Sequence, residues 1–273
     1  MKESIDTYFE QKKKEIEAFL LNEIQKLDDG SELFKAIKYG LFPGGKRLRP
    51  VLAFAISDVL GVSLDITPFA SAVEVLHNAS LYHDDLPIMD DDDFRRGRLS
   101  VHKKFSPAIA LLAGDTLISI AYELVINSSY NCDLKIKLIN LLSFSWGING
   151  VCGGQSLEIE AESRRKIHPF EIFRRKTGAL FGAVFKGVSI LNRLTEREQE
   201  DFYSIGENTG IIFQINDDLD DKSDENYNSL AFFSEDELIE KKRDLVEKTL
   251  KMVHNYKLFK FPLKEILRLI WRI

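Results

Sequence analysis

The chain has 273 residues, 44% of them hydrophobic and 29% charged, which is ample for a substantial buried core. Its 37 basic and 43 acidic residues give a net charge of -6, which argues against a general nucleic-acid binder. The two cysteines, Cys132 and Cys152, have neither metal-ligand spacing nor the pattern of a disulfide framework, so a reducing cytoplasm is expected. The charged stretch Met1–Lys14 lacks the apolar centre of a signal sequence. No run is expected to reach the roughly 18 apolar residues of a membrane span, so no stable membrane insertion is expected.

Helical patterns dominate from the start. Apolar residues recur at three- and four-residue spacing from Ile5 to Leu27, with charges between them. Similar patterns cover Glu32–Tyr39, Arg49–Leu60, Pro68–Asp85, Ser106–Asn127 and Leu134–Val151. They continue through Pro169–Leu191, Glu196–Asp221, Glu235–Val253 and Leu263–Trp271. Pro50–Leu60 and Ala108–Ile126 are apolar nearly all the way round and should lie inside a bundle rather than on its surface. With only seven prolines, scarce β-like alternation, no linker and no low-complexity tract, the expectation is an all-α single domain over residues 1–273.

The densest chemical signal is His77 to Gly97. Asp84, Asp85 and Asp90 to Asp93 place six carboxylates within ten residues, directly after an apolar helix carrying Ala72, Val73, Val75, Leu76 and Leu81. Like charges so close repel, and Pro87 should end the helix there. A divalent cation is the natural neutraliser. Oxygen-only ligands point to Mg²⁺, which commonly also holds substrate phosphates. Arg95 and Arg96 follow, and the planar guanidinium suits phosphate. An acidic surface turn would explain the carboxylates alone, but not the apolar helix before them or Arg95-Arg96-Gly97 after them. The spacing of a calcium-binding EF-hand is absent. A second cluster ends the apolar stretch Ile211–Ile215: Asp217 and Asp221 are four apart and share a helix face, and Gln214 lies a turn earlier. The glycine-rich basic loop Gly44-Gly45-Lys46-Arg47-Leu48-Arg49-Pro50 is a plausible anion site.

These segments together resemble the trans-isoprenyl diphosphate synthases, of the farnesyl and geranylgeranyl diphosphate synthase type, over roughly Leu33 to Asp221. Asp84-Asp85-Leu-Pro-Ile-Met-Asp90 followed by Arg95-Arg96-Gly97 is the most specific match, and the basic loop matches the family's GGKRxRP. Gly154-Gln155 resembles the GQ motif, with Glu158 where an aspartate is usual. Lys176-Thr177-Gly178 matches KTG, with Phe173 in place of the usual histidine. His102 matches the histidine after the Arg-Arg-Gly segment. The one serious departure follows Asp221: Lys222 to Ala231 contains no Gly-Lys pair, and Lys222 is the candidate substitute for a lysine on the allylic diphosphate.

The resemblance implies a helical bundle of the isoprenoid synthase type around a central apolar cavity. It implies Mg²⁺ held by Asp84, Asp85, Asp90, Asp217 and Asp221. Lys46, Arg49, His77 and Arg96 would bind isopentenyl diphosphate; Arg95, Lys176, Thr177 and Gln214 would serve the allylic diphosphate. The departing diphosphate would be neutralised, the allylic cation attacked by the isopentenyl double bond, and a proton lost to the released diphosphate. No side-chain nucleophile is required, in keeping with the lack of a convincing Ser-His-Asp set. Ala79 and Ser80, five and four residues before Asp84, would form the floor of the product tunnel. Their small size favours the twenty-carbon geranylgeranyl diphosphate. A farnesyl diphosphate synthase and a non-catalytic partner subunit are the alternatives, and a homodimer is expected by the same resemblance. A class I terpene cyclase is disfavoured by the GGKRxRP loop.

Overall fold

The computed structural model describes residues 4–162, 167–220 and 229–273. Asp221 and Lys222 therefore lie outside the described residues. The fold is all-α, as expected, and the described residues divide into two compact units.

The first unit takes Met1–Val51 and Asp65–Lys135. Helix α1 (Ile5–Gln25) and α2 (Glu32–Leu41) each begin at a serine, Ser4 and Ser31, whose hydroxyl accepts an orphan backbone N–H of the first turn. Helix α3 (Leu48–Leu60) starts in this unit and passes at Leu52 into the second. Helix α4 (Thr67–Asp84) is the core of the first unit: Phe69, Val73, Val75 and Leu76 are fully buried. Each such side chain contributes on the order of 1.5–3 kcal/mol by leaving water, so a charge at Val73 would break the unit.

A small hairpin follows, β1 (Phe94–Arg95) and β2 (Arg98–Leu99). The chain reverses through Arg96 and Gly97, both with positive φ (54° and 73°). Two successive left-handed residues match the twist of a tight hairpin, and Gly97 adopts that conformation at no steric cost. The Arg-Arg-Gly sequence is thus a turn as well as a source of cations.

Helix α5 (Val101–Lys104) leads to α6 (Pro107–Ile126), capped by Ser106. Two expectations are corrected here. With a mean hydropathy of 1.8 over its apolar window, α6 is long and apolar enough to cross a membrane. It is also not buried all round: Ala110, Ala113, Leu117 and Ala121 are buried, whereas Leu111, Leu112 and Ile126 are 44–51% exposed. The cause is one-sided packing on α4, for which small residues on the inner face allow close approach.

The second unit takes Leu52–Leu64 and Ile136–Ile273. Helix α7 (Cys132–Trp146) stops earlier than the pattern suggests, and α8 (Val151–Glu162) was not anticipated. The break falls at Gly147–Gly150, where a side chain on Gly150 would collide with the Ser145 carbonyl at 1.8 Å. Helix α8 escapes a periodicity search because glycines and acidic residues interrupt its apolar face.

Helices α9 (Pro169–Phe173) and α10 (Ala179–Leu191) form one rod joined by a π-helical turn, Arg174–Gly178. Helix α11 (Glu196–Asp220) packs along α10, and a 3₁₀ turn at Ser229–Ala231 precedes α12 (Glu235–Asn255). Ser234 and Glu237 close a reciprocal capping box at the start of α12. Helix α13 (Leu263–Trp271) ends the chain, burying Trp271.

Candidate active site

In the first unit, the basic loop is organised by a residue outside the expected ligand set. Arg47 is buried at positive φ, and its guanidinium donates to Glu74 Oε1 (2.8 Å) and to the Leu41 carbonyl (2.7 Å). Glu74 also accepts Asn78 Nδ2 (3.2 Å). Arg47 is therefore spent on the fold, and its immobilisation fixes the loop between Lys46 and Arg49. The sequence carries no signal separating Arg47 from its neighbours except the buried partner it finds one helix away.

His77, on α4, is pushed well below its ordinary pKa, first by burial and then by Arg49, Arg96, Arg47 and Arg95. It is a neutral imidazole among four guanidinium groups. Such a concentration of positive charge costs free energy unless an anion shares it. Arg96 donates weakly to Asn78 Oδ1 (3.4 Å), and its pKa is lowered, first by desolvation and also by Arg47 and Arg95. Arg98 fastens the hairpin, donating to the Phe42 carbonyl (2.9 Å) while lying 4.0 Å from the centre of the Tyr39 ring. Asn78, Asp85, Arg95 and Arg96 line a small cavity of about 30 Å³.

The acidic loop beyond α4 closes on itself. The Asp90 N–H donates to the Asp84 carbonyl (2.9 Å), and the Leu86 carbonyl accepts from Met89 (2.8 Å) and Asp91 (3.1 Å). Asp90 is exposed and is brought back beside Asp84. The backbone thus joins two aspartates at one helix end, and carboxylate oxygens are donors that suit Mg²⁺. Asp85 points elsewhere: it is buried and paired with Arg95, which donates to it through Nε (2.8 Å) and also reaches Asp92 (2.7 Å). Burial raises the Asp85 pKa, and Arg95 opposes that rise.

The remaining carboxylates have local partners. Lys103 Nζ lies 2.7 Å from Asp93 and 3.8 Å from Asp91. The buried His102 ring accepts or donates at Ser100 Oγ (3.0 Å) and turns Nε2 towards Asp91 at 3.7 Å. Asp91, Asp93 and His102 bring their ligand atoms within 4.8 Å of one another. The Lys103 ammonium already supplies positive charge there. His102 thus ties the acidic loop to α5.

Just before this loop, Ala79 is fully buried and Ser80 Oγ donates to the His77 carbonyl (2.9 Å). Tyr82 is anchored on α2, its hydroxyl donating to the Ile37 carbonyl (2.8 Å) and packing where Gly40 has no side chain.

In the second unit, the π-helical turn carries Lys176 and Thr177. Such turns commonly mark functional positions in helices. Gly154 of α8 allows the close approach that sets them: a Cβ there would come 2.2 Å from the Lys176 amide nitrogen. Glu158, where the expected pattern has aspartate, forms an ion pair with Lys176. Phe173 is buried with Ile211, Ile215 and Leu238. Thr177 Oγ1 donates to Gln214 Oε1 (3.0 Å), joining two residues the sequence pairs only by resemblance.

The second acidic end divides its carboxylates among three surroundings. Asp217 is exposed in the last turn of α11. Asp218 is buried, accepting Gln214 Nε2 (3.0 Å), Ser229 N (2.9 Å) and Ser229 Oγ (2.6 Å). Asp220 pairs with Arg272 (2.8 Å), which lowers its pKa. Asp218 and Ser229 were not expected in the site; their partnership spans eleven residues and has no motif.

The first unit thus carries an acidic loop folded back on the end of α4 and arginines that act on His77, and the second carries a Lys-Thr turn bonded to a glutamine. The chain belongs to the polyprenyl synthetase family, whose profile matches residues 31–257. It is 43% identical over 192 residues to a farnesyl diphosphate synthase of Micrococcus luteus, covering 69% of this chain and 66% of that enzyme. A farnesyl diphosphate synthase of Bacillus subtilis is 38% identical over 225 residues, covering 80% and 76%. Among solved structures, an FPP/GFPP synthase from Zymomonas mobilis superposes with a TM-score of 0.87 at 30% identity, covering 98% of this chain and 97% of that one.

Proposed function

We propose that this chain is a short-chain prenyltransferase that joins isopentenyl diphosphate head-to-tail to allylic diphosphates. The observation that carries the reading is the Asp84–Asp90 closure beside the guanidinium cluster. Carboxylates that need a cation and guanidinium groups that need an anion stand on one loop-and-hairpin framework, as a metal diphosphate requires.

In this reading Lys46, Arg49, His77 and Arg96 bind the diphosphate of isopentenyl diphosphate. His77 can donate a hydrogen bond without bringing another charge. Asp84 and Asp90 in the first unit and Asp217 in the second are the candidate Mg²⁺ ligands, and Asp85 orients Arg95 towards the allylic diphosphate. Asp221 is assigned to the metal by resemblance alone. Bound Mg²⁺ supplies positive charge to the leaving diphosphate. Lys176 adds charge to the same group, and its ion pair with Glu158 fixes the ammonium before substrate arrives. Thr177 presents its oxygen to the cationic carbon framework, and Gln214 holds Thr177 in place. Apolar walls exclude the water that would quench it.

The expectation of geranylgeranyl diphosphate from the small Ala79 and Ser80 gives way to farnesyl diphosphate as the favoured product. Both curated relatives named above are farnesyl diphosphate synthases. Small residues on α4 set a lower limit on tunnel length only if other side chains leave the floor open. Purified protein should convert isopentenyl and dimethylallyl diphosphates into a fifteen-carbon product that requires Mg²⁺, read by chromatography after dephosphorylation. Ala79→Tyr should shift the product towards ten carbons. A wild-type enzyme that makes no prenyl product would refute the activity; a dominant twenty-carbon product would refute the chain length. We also propose a homodimer, with support from the exposed Leu111 and Leu112 of α6, to be checked by light scattering, and a cytoplasmic location, to be checked by cell fractionation.

A further inference from the structure

Asp218 has the wrong surroundings for a simple metal ligand. It is 5% exposed, and both of its oxygens accept hydrogen bonds from protein groups. Those bonds run in opposite directions. Oδ1 accepts from Gln214, one helical turn earlier, and Oδ2 accepts both the amide and the hydroxyl of Ser229.

The polarity of this chain can be worked out atom by atom. An ionised carboxylate only accepts, so the Gln214 amide must turn its NH₂ end to Asp218. Its carbonyl oxygen is then forced towards Thr177, whose hydroxyl proton is committed to it at 3.0 Å. The Thr177 lone pairs are left facing away from Gln214. Without Asp218, the glutamine amide could flip, donate to Thr177 and release the Thr177 proton outward. Asp218 thereby decides whether Thr177 offers lone pairs or a proton.

The same carboxylate reaches Ser229, at the start of the 3₁₀ turn that leads into α12. Beside it Leu230 and Phe233 pack on the cluster of Phe173 and Ile211, next to the turn carrying Lys176 and Thr177. Ser229 is thus tied to the Lys-Thr turn twice, once by the polar chain and once by apolar packing.

We propose that Asp218 is a positioning residue that fixes the hydrogen-bond polarity of Thr177 through Gln214 and locks it to Ser229. This rests on the prenyltransferase reading, because Thr177 matters only if a cation develops beside it. The lone pairs it exposes favour positive charge on the allylic substrate.

The test is a set of full-length variants assayed with isopentenyl diphosphate, an allylic diphosphate and Mg²⁺. Asp218→Asn should lower kcat about tenfold or more, the size expected when a buried hydrogen bond is left unmade, with the KM for isopentenyl diphosphate unchanged. Ser229→Ala should give a smaller loss and Ser229→Thr should restore it. In a Thr177→Val background, Asp218→Asn should cost little more, because the group it orients is gone. Hydrogen exchange gives a readout independent of turnover: the Ser229 amide should be protected in the wild type and lose protection in Asp218→Asn. Full kcat in Asp218→Asn, or the same loss with and without the Thr177 hydroxyl, would overturn the positioning role while the enzymatic reading stood. An inactive wild type would overturn both.

Discussion

The two acidic helix ends of this protein look alike in sequence and are used differently. After α4, the chain folds back through its own backbone hydrogen bonds, so the neighbours of Asp84 and Asp90 lie within a dozen residues. At the end of α11, adjacent aspartates are split: Asp217 faces solvent, Asp218 is buried against Gln214 and Ser229, and Asp220 meets Arg272. A run of carboxylates is therefore not a set of equivalent ligands. Helix geometry turns successive residues about 100° apart, so adjacent aspartates cannot all face one cation.

The sharpest way to break this comparison is at the metal. Asp84→Ala and Asp90→Ala should each lower kcat by roughly 10²–10³-fold, the scale of losing one electrostatic stabiliser at a reacting centre. Their circular dichroism and unfolding midpoints should match the wild type, because both lie at a helix end outside the core. Asp85→Ala should behave differently, since it releases Arg95 from a buried partner and should lower stability as well as turnover. If Asp85→Ala is the most stable and Asp84→Ala the least, the division of labour in the first acidic end is wrong.

Next in size is Arg47. Arg47→Ala should lose about 3–5 kcal/mol of stability, because Glu74 would be left as an unpaired buried charge; urea denaturation reads it directly. Arg47→Met combined with Glu74→Gln should recover much of that loss. Equal destabilisation by both would show that loop geometry, rather than the buried charge, dominates.

The two units can also be compared through substrate use. Arg96→Ala should raise the KM for isopentenyl diphosphate, and Lys176→Ala should impair use of the allylic diphosphate. Each effect should be about ten- to a hundredfold, since a hydrogen bond to a charged group is worth about 1.5–3 kcal/mol. Initial-rate kinetics with each substrate varied in turn would check this, and identical profiles for the two variants would erase the distinction.

Much of this was legible in the sequence because it is local. Periodicity places most helices, Asp84-Asp85 and Arg95-Arg96 suggest a chemistry by type and spacing, and Lys176-Thr177 stands out only through the family resemblance. What escaped is set by contact at a distance. Arg47 reads like Lys46 and Arg49 until Glu74 buries it. Asp218 reads like Asp217 until Ser229 caps its second oxygen. The hairpin at Phe94–Leu99 is too short for an alternating pattern, and α8 is too rich in glycine and acid for a helical one. The exposed side of α6 was misjudged because composition alone does not say which face meets α4.

The smallest expected effect is on pH, and it probes the first unit alone. His77 has a depressed pKa in the fold and an ordinary value near 6.5 in the unfolded chain. Between those two values the unfolded chain binds a proton that the folded one refuses. Stability should therefore rise with pH through that window and level off above about 6.5, with a slope of at most about 1.4 kcal/mol per pH unit from this one group. In His77→Gln that contribution should vanish, so the wild-type and variant stability curves should run parallel above pH 7, and below pH 6 the wild type should fall relative to the variant. Added pyrophosphate should change the pH slope in the wild type only. A bound anion beside the ring favours its protonated form, raises the folded pKa and flattens the slope. Urea titrations at half-unit pH steps, with and without pyrophosphate, give the four curves. Parallel behaviour of wild type and His77→Gln across the whole range would mean that His77 is not held neutral among the guanidinium groups, and the isopentenyl half of the site would have to be redrawn around Arg49 and Arg96 alone.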